Sequence, residues 1–203
     1  MSALHAHGEM PAPDTVVRAF VAVEINEQVR GALAGVQEDL RRTGARVGWV
    51  KPEQIHLTLV FLGNVFGMQV RELASAMDAI GSGFGAFEYG VEGIGFFGSP
   101  RSPRVIWAGV TGGGERLIVL QSLIAEAARR AGVQLEARAF SPHLTIGRVR
   151  SRRGADELTS AASSAKNTPL GTVSVRRVLL MQSHLEHQGV RYTVLHESAL
   201  KGT

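Results

Sequence analysis

The chain has 203 residues, 44% of them hydrophobic and 20% charged, with a net charge of +4 and no cysteine. This composition suits one compact domain able to bury about 70% of its unfolded surface, and it excludes disulfides, thiolate metal sites and thiol nucleophiles. No run approaches the roughly 18 apolar residues of a membrane span, and the lack of cysteine is compatible with a reducing cytoplasm.

Residues 1–14 hold His5, His7 and two prolines but no apolar core run. They read as a flexible tail ahead of a single domain over residues 15–203, and not as a secretory signal. Residues 16–23 (VVRAFVAV) form a short apolar run rich in β-branched and aromatic residues, the pattern of a buried strand. Residues 26–42 open on Asn26, a good cap, and close on basic residues that suit a helix C-terminus. A strand is expected over 56–63, a helix over 69–80 and strands over 87–97 and 103–110. Gly112-Gly113-Gly114 lacks the Lys-Ser/Thr of a phosphate loop and reads as a strand-to-helix turn. The helix it opens, 115–131, carries Leu117, Leu120, Leu123, Ile124 and Ala127 on one stripe and stops at Gly132. A strand over 143–149 follows. Residues 151–168 are the most polar stretch, a loop around a marginal helix over 155–165. Strands over 172–182 and 189–198 close the chain.

Within this layout His56-Leu57-Thr58-Leu59 returns as His143-Leu144-Thr145-Ile146, an offset of 143 − 56 = 87. Two such tetrads by chance in one chain of this length is on the order of a one-in-ten-thousand event. Side chains alternate across a strand, so each copy presents its His and Thr on one face and its two aliphatics on the other. Side by side, the two strands would gather two imidazoles and two hydroxyls, a set suited to phosphoryl chemistry without a nucleophile or a metal.

The same offset aligns residues 16–23 with 103–110, placing Phe20 on Trp107, and aligns the helices and later strands. Such a long period, present only twice, describes two halves of one domain related by a pseudo-twofold. The strand over 189–198 has no partner under the offset, and strand order cannot be read from it.

The positive charge is concentrated around the tetrads. Arg41, Arg42, Arg46 and Lys51 precede the first, and Arg148, Arg150, Arg152 and Arg153 follow the second. A regular strand would put Arg148 on the face opposite His143; a bulge at Gly147 would bring it back as a phosphate contact. The remaining histidines are weaker candidates. His184 and His187, three apart, lie in an expected turn, His196 reads as structural, and no carboxylate stands at zinc-like spacing from either tetrad. Phe61, Phe97 and Tyr192 are candidates to stack on a base, with core packing the default for the phenylalanines.

Trp49-Val50, the run His56-Leu57-Thr58-Leu59-Val60-Phe61-Leu62-Gly63 and the run Ser141-Pro142-His143-Leu144-Thr145-Ile146-Gly147-Arg148 resemble the 2H phosphoesterase superfamily. The match is strongest to its bacterial and archaeal RNA 2′,3′-cyclic phosphodiesterases, also called 2′-5′ RNA ligases. It covers nearly the whole chain, including Arg18-Ala19-Phe20-Val21-Ala22-Val23 and the Gly189-x-x-Tyr192 pattern. The N-terminal extension and the marginal helix after Arg148 depart from it. The resemblance implies a bilobal α+β fold in which two antiparallel sheets face a central groove, with helices outside. It implies His56 and His143 as the catalytic pair, with Thr58, Thr145 and Arg148 on the substrate, no metal and no cofactor.

The expected activity is hydrolysis of RNA 2′,3′-cyclic phosphate ends to 2′-phosphates, with reversible 2′-5′ ligation by the same site, in a cytoplasmic monomer. Two alternatives stand beside it. One is a 2H enzyme for a small substrate such as ADP-ribose cyclic phosphate or 2′-5′ oligoadenylate. The other is an RNA-binding module without turnover.

Overall fold

The computed structural model describes residues 6–99, 101–137, 139–186 and 189–202. In chain order the elements are β1 (Ala6–His7), β2 (Val16–Glu24), α1 (Glu27–Arg41), β3 (Val47–Trp49), β4 (His56–Phe66), α2 (Gly67–Gly83), β5 (Phe87–Ser99), β6 (Ser102–Thr111), α3 (Gly114–Arg130), β7 (His143–Val149), α4 (Ala155–Ser164), β8 (Pro169–Val175), β9 (Arg177–Glu186) and β10 (Gly189–Ala199), with a 3₁₀ turn at Pro52–Gln54. Local sequence accounts for most of these ends. Asn26 caps α1 by accepting the Val29 N–H at 2.9 Å, and Gly113, at φ +61°, makes the turn into α3 that a side chain would strain.

The strands run in the order β1-β10-β9-β2-β4-β7-β6-β5-β8, with β3 beside β7. All pairs are antiparallel except β1 on β10. The two halves meet between the tetrad strands, where the register is the single pair Leu57↔Leu144. Beyond it β4 turns away, and β3 takes its place along the same edge of β7 from Val47↔Val149 to Trp49↔Gly147. Gly147 permits that approach, since a Cβ there would lie 2.7 Å from Val47 Cγ1 and 3.1 Å from the Trp49 ring.

The duplicated α+β architecture is as the offset and the resemblance implied, and it is more complete in space than in sequence. One half reads β10-β9-β2-β4 and the other β8-β5-β6-β7, so β10 is the spatial counterpart of β8 although they leave different points of the chain. The single strand expected over 172–182 is therefore two. The chain leaves β8 in one half, passes Arg176 and enters β9 in the other. Apolar alternation reports an extended backbone and does not name its partner.

Each half is covered by helices that come from both. The α2 and α3 helices pack on each other and over β4, β9 and β10, while α1 and α4 cover β5, β6 and β8. The main core lies between sheet and helices, with Leu57, Leu144, Ile106 and Ile146 all 0% exposed; each such side chain contributes about 1.5–3 kcal/mol. A smaller cluster of Phe20, Ala22, Leu179, Met181 and Val194, with Tyr192 against it, lies on the other face of the first half.

Within the expected N-terminal tail, residues 6–14 make defined contacts. Ala6–His7 pairs with β10, the Met68 N–H donates to Pro13 O at 3.0 Å, and Arg71 donates to Pro11 O at 3.0 Å.

Candidate active site

Leu57 and Leu144 face each other at the crossing of β4 and β7 and are fully buried toward the helices. Alternation puts His56, Thr58, His143 and Thr145 together on the opposite face. Because the strands are antiparallel, the neighbours of that pair cross over: His56 stands beside Thr145, and Thr58 beside His143. Each imidazole is thus matched with the hydroxyl of the other motif. The two histidines lie on a diagonal of that crossing.

Both rings are held in the same way. The His56 Nδ1–H donates to Gln54 O at 2.8 Å, and the His143 Nδ1–H donates to Ser141 O at 2.7 Å. These anchors are themselves one offset apart, 54 + 87 = 141. A carbonyl oxygen only accepts, so the proton resides on Nδ1 in each ring. His56 stacks on Phe20 with ring centroids 4.9 Å apart and meets Tyr192 edge-on at 5.3 Å. His143 meets the edge of Phe97 at 4.8 Å, and Phe97 leans on Trp107 at 5.6 Å.

The bulge that would bring Arg148 round is present, one residue earlier than Gly147. On β6 the partners step from Trp107↔Thr145 to Ile106↔Gly147, leaving Ile146 as the extra residue. Val105 then pairs with Arg148, and Val105 shares a face with Trp107, so Arg148 shares the face of Thr145 and His143. The first half has the same device. Ala22↔Thr58 is followed by Val21↔Val60, so Leu59 bulges and Phe61 returns to the His56 face. Phe61 and Arg148 are equivalent positions, 61 + 87 = 148: one half offers a ring where the other offers a guanidinium. Across the site, burial pushes the Tyr192 phenol above its ordinary pKa, while the charge of Arg148 draws it back.

The LigT like Phosphoesterase family model matches this chain in two segments, residues 23–107 and 110–192, one for each half of the duplication. The chain belongs to that family. An RNA 2′,3′-cyclic phosphodiesterase of Methanothermobacter thermautotrophicus is 34% identical over 177 residues, covering 87% of this chain and 95% of its own. One of Thermotoga maritima is 33% identical, covering 92% and 97%. Among solved structures, TT0787 of Thermus thermophilus superimposes with a TM-score of 0.76 at 26% identity, over 91% of this chain and 98% of that one. E. coli LigT complexed with 3′-AMP gives 0.72 at 26% identity, over 92% and 99%.

In this LigT-like phosphoesterase the basic residues divide into two groups. Arg41 and Arg42 are engaged within α1, pairing with Glu38 at 3.1 Å and Asp39 at 3.3 Å, and Arg41 also lies 5.4 Å over the Trp49 ring. Arg46, Lys51, Arg148, Arg150, Arg152 and Arg153 are exposed and, among the described residues, pair with no carboxylate.

The other histidines stand apart. The His184 Nε2 is 2.8 Å from the Thr193 hydroxyl, His196 pairs with Asp78 at 2.9 Å, and His5 and His187 lie outside the described residues. Among the described residues no group of three or more His, Asp or Glu is arranged to hold a metal, and no helix is long and apolar enough to cross a membrane.

Sequence reasoning missed Phe20 and Trp107 as the supports beside the histidines, and it gave Phe61 to the core by default. Phe61 is 66% exposed. The offset held the signal: it places Phe61 on Arg148 and Gln54 on Ser141.

Proposed function

We propose that this chain hydrolyses 2′,3′-cyclic phosphate ends of RNA to 2′-phosphates, using the two histidines as acid and base and no metal. The observation that carries the proposal is the pair of imidazoles, each with Nδ1 tied to the carbonyl two residues before it, on one face of an antiparallel crossing. Water attacks phosphorus and gives its proton to Nε2 of His143. The phosphorus–3′ oxygen bond breaks, and Nε2–H of His56 protonates the departing oxygen. The product is a 2′-phosphate with a free 3′-hydroxyl. Thr58 and Thr145 donate hydrogen bonds to the non-bridging oxygens, and Arg148 supplies positive charge where negative charge builds up. With a 5′-hydroxyl in place of water, the reverse reaction forms a 2′-5′ linkage.

The asymmetry of the groove supports these individual roles. Phe61 and Tyr192 lie on the His56 side around the buried Phe20, and the exposed ring of Phe61 is where a nucleoside can stack. The leaving oxygen belongs to the ribose, so the acid should be on that side. His143 and Arg148 occupy the other strand, from which water would approach in line. Both motifs come from one chain, so a monomer can carry the whole site, and we place it in the cytoplasm.

RNA is favoured over a small substrate by Arg148, Arg150, Arg152 and Arg153, whose exposed charges continue beyond the site along the path of a longer polyanion. The test compares a 2′,3′-cyclic mononucleotide with an oligonucleotide bearing the same end. Turnover of both, with the oligonucleotide preferred and its advantage falling with salt, is the expected result. Equal, salt-independent turnover would point to a small substrate, and binding without turnover would refute catalysis.

A further inference from the structure

Gln37 sits in the middle of α1 and is 0% exposed, on a helix face otherwise buried through Val29, Leu33 and Leu40. Its side-chain amide donates to Val50 O at 2.7 Å and to Ile146 O at 2.8 Å. Ile146 is the extra residue of the β7 bulge, and its carbonyl also accepts the Val50 N–H at 3.0 Å. A bulge interrupts the ladder, so its backbone groups need partners from elsewhere. Beside the Val50 N–H, Gln37 gives that carbonyl a second donor, and it does so at a cost, because its Oε1 is buried with no partner among the described residues.

The duplication supplies an internal control. The position equivalent to Gln37 in α3 is 37 + 87 = 124, and Ile124 is buried and apolar. On that side the bulge at Leu59 delivers Phe61, an apolar platform. Only the helix behind the arginine-bearing motif carries an amide aimed at the bulge.

We infer that Gln37 is a positioning residue for the phosphate site: by clamping the Ile146 carbonyl it fixes the bulge that holds Arg148 on the His143 face. This inference rests on the reading of Arg148 as the phosphate contact. A bulge released by loss of the clamp lets the strand relax toward regular alternation, which rotates Arg148 away from the groove. Thr145 lies one residue before the bulge and its face does not depend on it.

The test is a double-mutant cycle on kcat/KM with a 2′,3′-cyclic mononucleotide, using Gln37→Met, Arg148→Ala and the pair. Met keeps the length and removes both donors. Gln37→Met should lower kcat/KM by roughly ten- to a hundredfold, the usual penalty for a misplaced group, and by no more than Arg148→Ala does. Added to Arg148→Ala it should cost less than about twofold, whereas added to Thr58→Val it should cost its full factor. The fall in thermal midpoint should be the same in every background.

If Gln37 merely ties α1 to the sheet, its loss will multiply with Arg148→Ala, and that result overturns the inference while leaving the Arg148 assignment intact. If Arg148→Ala itself is without effect, the assignment fails and takes the inference with it. Should Gln37→Met not fold, Gln37→Leu, apolar and likewise without a donor, enters the cycle under the same criteria.

Discussion

Replacing His56 with alanine removes the proposed proton donor and also a ring that is part of the packing, and the two losses can be measured separately. A positioned acid or base is worth roughly a hundred- to ten-thousandfold, which corresponds to about 2.7–5.5 kcal/mol of barrier. The stability cost follows from the contacts. His56 stacks on Phe20 at 4.9 Å and meets Tyr192 at 5.3 Å, two aromatic contacts at about 0.5–1.5 kcal/mol each. His143 meets the ring of Phe97 at 4.8 Å, so His143→Ala should likewise lose stability along with a rate loss of the same order. In a chain of this size, about 1 kcal/mol lowers the thermal midpoint by roughly 2–4 °C, a resolvable difference. Initial rates on a 2′,3′-cyclic nucleotide and thermal unfolding of both variants give the two quantities. A diester whose leaving group needs no proton, such as an activated aryl ester, completes the assay: it should restore His56→Ala and leave His143→Ala impaired. Near wild-type turnover by either variant would refute the shared site, and rescue of His143→Ala alone would exchange the roles.

Thr58→Val and Thr145→Val each remove one hydrogen bond to a charged group, worth about 1.5–3 kcal/mol, and should slow turnover about ten- to a hundredfold; a chelator should change nothing, and activity lost to EDTA and restored by a divalent ion would overturn the mechanism. Arg148→Ala should weaken cyclic mononucleotide and oligonucleotide alike, whereas Arg152→Ala and Arg153→Ala should matter only for the oligonucleotide and should flatten its salt dependence; a loss confined to the mononucleotide would contradict this division. Asp78 accepts from Ser198 at 2.7 Å and is 2.9 Å from the His196 ring; partial burial works to raise its carboxyl, but Ser198 and His196 hold it below its ordinary pKa. A depressed carboxyl contributes stability above its unfolded pKa and loses it as pH falls through the folded one, so Asp78→Ala should lower the thermal midpoint at neutral pH by more than it does in acid below the ordinary carboxylate range; a pH-independent difference would refute the assignment.

The duplication and the strand faces that carry His56, Thr58, His143 and Thr145 were legible in the chain, because each depends on short-range periodicity. A period of two places His56 with Thr58, and His143 with Thr145, whatever the strand pairs with, and the 87-residue offset carries that reading from one half to the other. The caps and helix stripes are local in the same sense, which is why α1 and α3 lie within a residue of where their patterns put them. Arg148 marks where local reading stopped. Its face depends on one extra residue in a ladder with β6, and a strand cannot announce the register of a partner some forty residues away. Phe61 was lost to the core for the same reason, and the run through Arg176 was read as one strand because alternation continues while the partner sheet changes. The crossing that sets His56 beside Thr145 and the buried Gln37 behind the bulge likewise arise only when distant segments are brought together. Sequence determined which groups are available, and tertiary register decided which of them meet.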